Sequence, residues 1–193
     1  MLSACRSPTS VLPRSAGRDT TGLLFAREVA IPAMSVAAIV GSADIRIPIG
    51  LPGHRALIWL SLLVAVALVT RRRDTVIAVG AACTAATVML HAGPSPSVRY
   101  LAAAAMLYAV AGAPAVQRRP WLVVIAAAPI HLVAMADPVA AVIRGGHLAG
   151  ILSVGMGEKL QWHLVFGLAA GLLGWGLARG IGRLPRFGEV GKE

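Results

Sequence analysis

The chain alternates long apolar runs with short polar breaks. A helix crossing a hydrocarbon core needs about 20 apolar residues, within a range of ~17–25. Six runs approach or meet that length: 23–43, 51–70, 75–91, 98–116, 121–136 and from 158 to 179–183. The pattern therefore predicts an all-α, polytopic membrane protein, a compact bundle of six transmembrane helices in one domain over 23–183. Residues 1–22, rich in Arg, Ser, Thr and Pro, read as a disordered basic cytoplasmic tail. Residues 184–193 read as a short cytoplasmic C-terminal tail.

The breaks carry the orientation. Arg71, Arg72 and Arg73 close the second run, Arg118 and Arg119 the fourth, and Arg179, Arg183 and Arg186 the last. With Arg6, Arg14, Arg18, Arg27 and Lys192 they fall on one side of a six-pass threading. Of the 18 Lys and Arg residues, Arg46, Arg55, Arg99, Arg144 and Lys159 are left for the other. Basic residues stay cytoplasmic during insertion, so both termini are expected inside, in a multi-pass protein of a cell membrane, by expectation a bacterial inner membrane.

Composition agrees. Hydrophobic residues make up 57% of the chain and charged ones 13%, against roughly 25% charged in soluble domains. Mean hydropathy is +0.75. The net charge of +10 does not call for a nucleic-acid partner, because the cations sit at the ends of apolar runs and not on a water-exposed domain. An anionic inner leaflet explains them. Cys5 and Cys83 lie in a tail and in an apolar run, so neither a disulfide framework nor a thiolate metal site is indicated. Cys5 follows no apolar stretch, which makes Leu2-Ser3-Ala4-Cys5 an ordinary tail and not a lipoprotein box.

Irregularities shape the expected bundle. Pro32 is expected to bend the first helix and Pro129 to interrupt the fifth. The segment from Asp44 to Arg55 has two prolines and two glycines, yet is too apolar for a solvated loop. It is expected to pack as a lid or re-entrant cap. Residues 138–157 are apolar but carry Arg144, Gly145, Gly146 and His147 near their centre. A seventh span there would send the C-terminal arginines outside, so an outer excursion is expected. Small-residue pairs mark close helix contacts: Gly167 with Gly171, Gly176 with Gly180, and Ala33 with Ala37, extended by Gly41. Packing within the chain accounts for such pairs as readily as docking does.

Candidate chemistry collects at the cation-poor end. Glu158, Gln161 and Trp162 are spaced i, i+3, i+4, placing an acid, an amide and an indole on one helical face. Lys159 and His163 share the neighbouring face. His91, Tyr100 and His54 fall at the same level, with Asp44, Arg99, Asp137 and His147 nearby. Hydrogen-bonding groups beside an aromatic plane form a cradle for a small molecule, or an interfacial collar with Trp at headgroup depth. His131 lies about 15 Å along the fifth helix from Trp121, which puts it by expectation near mid-membrane, facing the bundle interior. It reads as a satisfied structural histidine that could also reach a ligand. The five histidines form no HExxH or paired-helix motif, so no metal site is assigned. No GxSxG or P-loop occurs, so no cofactor and no enzyme activity is expected.

These features together resemble a known family. The resemblance rests on six short helices with both ends inside, the loop Ile47-Pro48-Ile49-Gly50-Leu51-Pro52-Gly53, and a last helix reading His163-Leu164-Val165-Phe166-Gly167-Leu168-Ala169-Ala170-Gly171-Leu172-Leu173-Gly174. It covers most of residues 29–183 and is similar to the substrate-binding membrane subunits (S components) of energy-coupling-factor transporters. The resemblance implies capture of a vitamin-like micronutrient in an outward-facing cavity, with the apolar loop as its lid. It also implies docking through Ala33 and Ala37 on a transmembrane coupling subunit, and two cytoplasmic ATPases as further partners. Cobalt and nickel members begin Met-His, whereas this chain begins Met1-Leu2-Ser3, so that metal role is not expected. Two other readings stand beside it: a structural or assembly membrane protein without a ligand, and a haem- or metal-handling membrane protein.

Reporter fusions test the threading. Fusions after Arg73, after Arg119 and at either terminus should report the cytoplasm, and a fusion at Ser95 the far side. A terminus on the far side would overturn the orientation.

Overall fold

The computed structural model describes residues 22, 25–43, 54, 56–91, 98–136 and 155–183. Among them are seven α-helices and no strand: α1 (Ile31–Gly41), α2 (Ala56–Val69), α3 (Asp74–His91), α4 (Val98–Gly112), α5 (Pro114–Arg118), α6 (Leu122–His131) and α7 (Gly155–Arg183). The tails and the expected lid (Asp44 to Arg55, apart from His54) lie outside the described residues. So do the Gly93–Ser97 turn and most of the expected outer excursion, whose last residues open α7.

Proline places several element boundaries. Pro32 sits at the start of α1, directly after a π-helical turn over Ala26–Ala30. Proline has no N–H, and its ring clashes with the carbonyl four residues back; a wider turn makes room for the ring. Beside Pro32 the helix changes type, from π to α. The fourth run does not continue unbroken to residue 116. Ala113 is extended (φ −66°, ψ 132°) and Pro114 starts the short α5, because the residue before proline is driven out of the α region. Pro129 lies inside α6, which tightens into a 3-10 turn over Leu132–Met135.

These breaks shorten the helices. The 14 residues of α2 rise about 21 Å and the 29 of α7 about 43 Å, at 1.5 Å each. One helix, over Gly157–Gly182, is long and apolar enough to cross a membrane. Four others, Leu57–Val69, Asp74–Leu90, Val98–Gly112 and Leu122–Met135, are apolar but shorter.

Helix α2 is the centre of the bundle and packs against α1, α3, α4, α6 and α7. Its Leu60, Leu63, Val64 and Val66 are fully buried, with Val76 and Cys83 of α3, Leu107 of α4 and Val123 of α6 around them. The outer surface is apolar too: Met34, Met89, Ile125, Leu172 and Leu173 are all more than half exposed. Buried hydroxyls turn back onto their own helices. Ser35 donates to Ile31 O (2.8 Å), Thr70 to Val66 O (2.8 Å) and Thr87 to Cys83 O (2.7 Å), which leaves no polar demand on neighbouring helices.

Glycine sets the spacing between helices. A Cβ on Gly167 would meet Ala127 O and Ala128 Cα, each at 2.8 Å, and one on Gly171 would meet Val124 Cα at 2.9 Å. One on Gly174 would meet Val64 Cβ of α2 at 2.7 Å. The Gly167/Gly171 pair is therefore consumed inside the chain. Gly176 and Gly180 are different: nothing lies within 4 Å of a Cβ added at either.

This contrast is testable. Gly171→Leu should push α7 off α6 and cost about 1–3 kcal/mol, read as a lower unfolding temperature in detergent. Gly176→Leu should leave that temperature unchanged.

Candidate functional site

The two ends of the bundle carry different chemistry. At one end the arginine-bearing breaks converge. The backbone N–H of Arg71 donates to Glu28 Oε1 (2.7 Å), and a Cβ on Gly112 would meet Arg73 Nη1 at 3.2 Å. Leu68, Trp121 and Arg179 share one groove there.

At the other end, four rings from four helices meet. Trp59 of α2 stands edge-on to Tyr100 of α4, centroids 5.7 Å apart and planes at 82°. Trp59 also touches His131 of α6, again at 5.7 Å. His131 in turn stacks on His163 of α7 at 5.0 Å and 20°. Trp59, Tyr100 and His131 are all buried, whereas His163 is half-buried. The column thus runs from the core outward, and His163 is its accessible end.

Local bonding orients His163. Its Nδ1 lies 2.7 Å from the carbonyl oxygen of Lys159, one turn back. A carbonyl only accepts, so Nδ1 carries the hydrogen, and in the neutral ring Nε2 is left as an acceptor. Arg99 covers the Tyr100 edge of the column. One of its amino groups donates to the Tyr100 hydroxyl (3.2 Å), and its guanidinium carbon is 5.0 Å from the ring centroid. The Arg99 Nε is buried without a hydrogen-bond partner among the described residues, which leaves a cationic donor for an acceptor group.

The residues expected to form the cradle are partly brought together. His163 and Tyr100 belong to the column. Trp162 is half-buried and packs along its own helix on Phe166 (5.9 Å). Glu158 and Gln161 are exposed on the first turns of α7. His54 is a half-buried turn residue whose carbonyl accepts from Leu57 N–H (3.1 Å). His91 is the last residue of α3. Ala33 and Ala37, the expected docking pair, are exposed on α1 beside Met34, which is 71% exposed.

Sequence reasoning passed over Trp59, which joins Tyr100 to His131. A Trp five residues past His54, in the same apolar run, is the available signal, but in the sequence it reads as one more apolar position. No group of three or more potential metal ligands occurs among the described residues. Comparison with protein-family models, with curated proteins and with solved structures finds no match.

The column predicts a stability ranking. Trp59→Ala removes the face shared by Tyr100 and His131 and should cost about 3–5 kcal/mol. Trp162→Ala, which loses a partner on its own helix, should cost much less. Thermal unfolding in detergent reads both.

Proposed function

We propose that this chain is a six-pass membrane protein that captures a small micronutrient at its outer end, as the substrate-binding subunit of an uptake transporter of the energy-coupling-factor type. The observation that carries the reading is the convergence of Trp59, Tyr100, His131 and His163 at the end of the bundle opposite the arginines. A flat, partly polar molecule suits that end. It would stack on His163, accept from Arg99 and meet Glu158, Gln161 and Trp162 on the first turns of α7. The apolar exposed surface supports immersion in lipid, and the short helices are accommodated if the bilayer thins around them. The exposed small face of Ala33 and Ala37 supports docking on a transmembrane coupling subunit. Energy in this reading comes from ATPases in other chains, since this one carries no nucleotide-binding motif.

A second reading, a structural or assembly protein without a ligand, draws on the near-complete burial of Tyr100 and His131, which fills the inner part of the column. The two readings diverge on ligand-induced stabilisation.

The purified protein, screened against a vitamin panel by differential scanning, should be stabilised by one ligand class. At about 1,000 times its dissociation constant that ligand adds ~4 kcal/mol. Glu158→Ala and Gln161→Ala should reduce the shift while leaving the ligand-free unfolding temperature unchanged, because both side chains are exposed. No shift with any compound, and no co-purifying coupling subunit, favours the structural reading.

A further inference from the structure

We propose that the arginine-bearing end holds a bound anionic phospholipid, seated in a groove between α2, α6 and α7. This rests on the reading of the chain as a membrane protein with its arginines inside. The groove encloses about 510 Å³ and is lined by Leu68 of α2, Pro120 and Trp121 at the start of α6, and Trp175, Ala178, Arg179 and Gly182 of α7. The α7 residues are spaced 3, 4 and 7 from Trp175, so they form one stripe along the helix. Ala178 and Gly182 leave space where larger residues would fill it. Nothing lies within 4 Å of a Cβ added at Gly182.

The chemistry of the walls is divided. The floor is apolar: Leu68, Ala178 and the two indoles. The cation is at the rim, where the Arg179 guanidinium lies 4.2 Å from the centroid of the Trp175 ring. That contact holds the cation over the indole, where its N–H groups can donate to phosphate oxygens. Arg118 and Arg119, both exposed, immediately precede Pro120 in the wall. Of the described acids at this end, Glu28 is engaged with the Arg71 backbone through Oε1, and Asp74 stands exposed at the start of α3, outside the groove lining. A free phosphate would use the rim and leave the indole-lined floor in contact with water. A phospholipid fills both, with its phosphate on Arg179 and the first part of an acyl chain along Leu68 and Ala178. The tryptophans then sit at headgroup depth, on the leaflet whose anionic lipids attract basic residues.

Native mass spectrometry of the detergent-solubilised full chain, offered equal amounts of phosphatidylglycerol and phosphatidylcholine, tests the proposal. The protein should retain phosphatidylglycerol preferentially. Arg179→Gln should lower that preference roughly fivefold, the effect of one basic residue near an anionic leaflet. Gly182→Leu, which fills the groove and leaves every charge in place, should lower retention of both lipids. Inorganic phosphate at millimolar concentration should not displace the lipid. Equal retention of the two lipids, indifference to both substitutions, or displacement by inorganic phosphate overturns the proposal. Labelling separates its failure from that of the threading. Arg119→Cys in a Cys5→Ser background should resist an impermeant maleimide in intact cells. Labelling there shows the groove facing outward and sinks the threading, whereas protection without lipid preference sinks the lipid site alone.

Discussion

The structure depends on how closely α7 approaches α6 and α2. On the proposed reading of the chain as a membrane protein, apolar side chains gain little by leaving lipid, so helices associate through dispersion and close contact. Gly167, Gly171 and Gly174 lie on one face of α7, where any larger side chain would collide with backbone atoms of α6 or with Val64 of α2. That face brings the longest helix against the central one. It also brings His163 to the level of His131 at one end and Arg179 to the level of Trp121 at the other. Gly80 plays the same part between α3 and α4, where a Cβ would lie 2.8 Å from Tyr100 O.

Polar groups follow from the same economy. The Ser35, Thr70 and Thr87 hydroxyls return to carbonyls one turn back, which gives each a partner within its own helix. Polar side chains that do join helices lie near the ends. There, aromatic rings, imidazoles and guanidiniums combine in two ways: a stacked column at one end, and a cation beside an indole at the other. The chemical asymmetry of the bundle is therefore longitudinal, with separate side-chain chemistry at each end of a common apolar shaft.

The helical class was legible because apolar runs of this length, broken by Arg, Pro and Gly, have few other solutions. The start of the last helix near Glu158 was legible to within a few residues, since Glu158 and Lys159 are an abrupt polar pair between two apolar stretches. The end of α4 was not. Ala113 and Pro114 fall inside a continuous apolar run, and hydropathy cannot register a missing N–H. Of the site, His163 and Tyr100 were visible as polar groups at the right level. Their arrangement was not, because Trp59 and His131 reach them from other helices, and one sequence carries no record of which faces meet. The spacing of Glu158, Gln161 and Trp162 was read as one face. The first two nonetheless stand in the open, because no other described element rises alongside them.

That last circumstance has an energetic side. From Gly157 to Gln161 every residue of α7 is exposed, so this stretch is helical on backbone hydrogen bonds and side-chain propensity alone. About a turn and a half with no described element packed alongside opens locally at little cost, far below the global unfolding free energy, and Gly157 weakens it further. By the same reasoning the amide hydrogens there are expected to exchange before those over Gly167 to Gly174. Any molecule that engages Glu158 or Gln161 draws on the closed fraction of that equilibrium, so its apparent affinity scales with how often the end of the helix is wound.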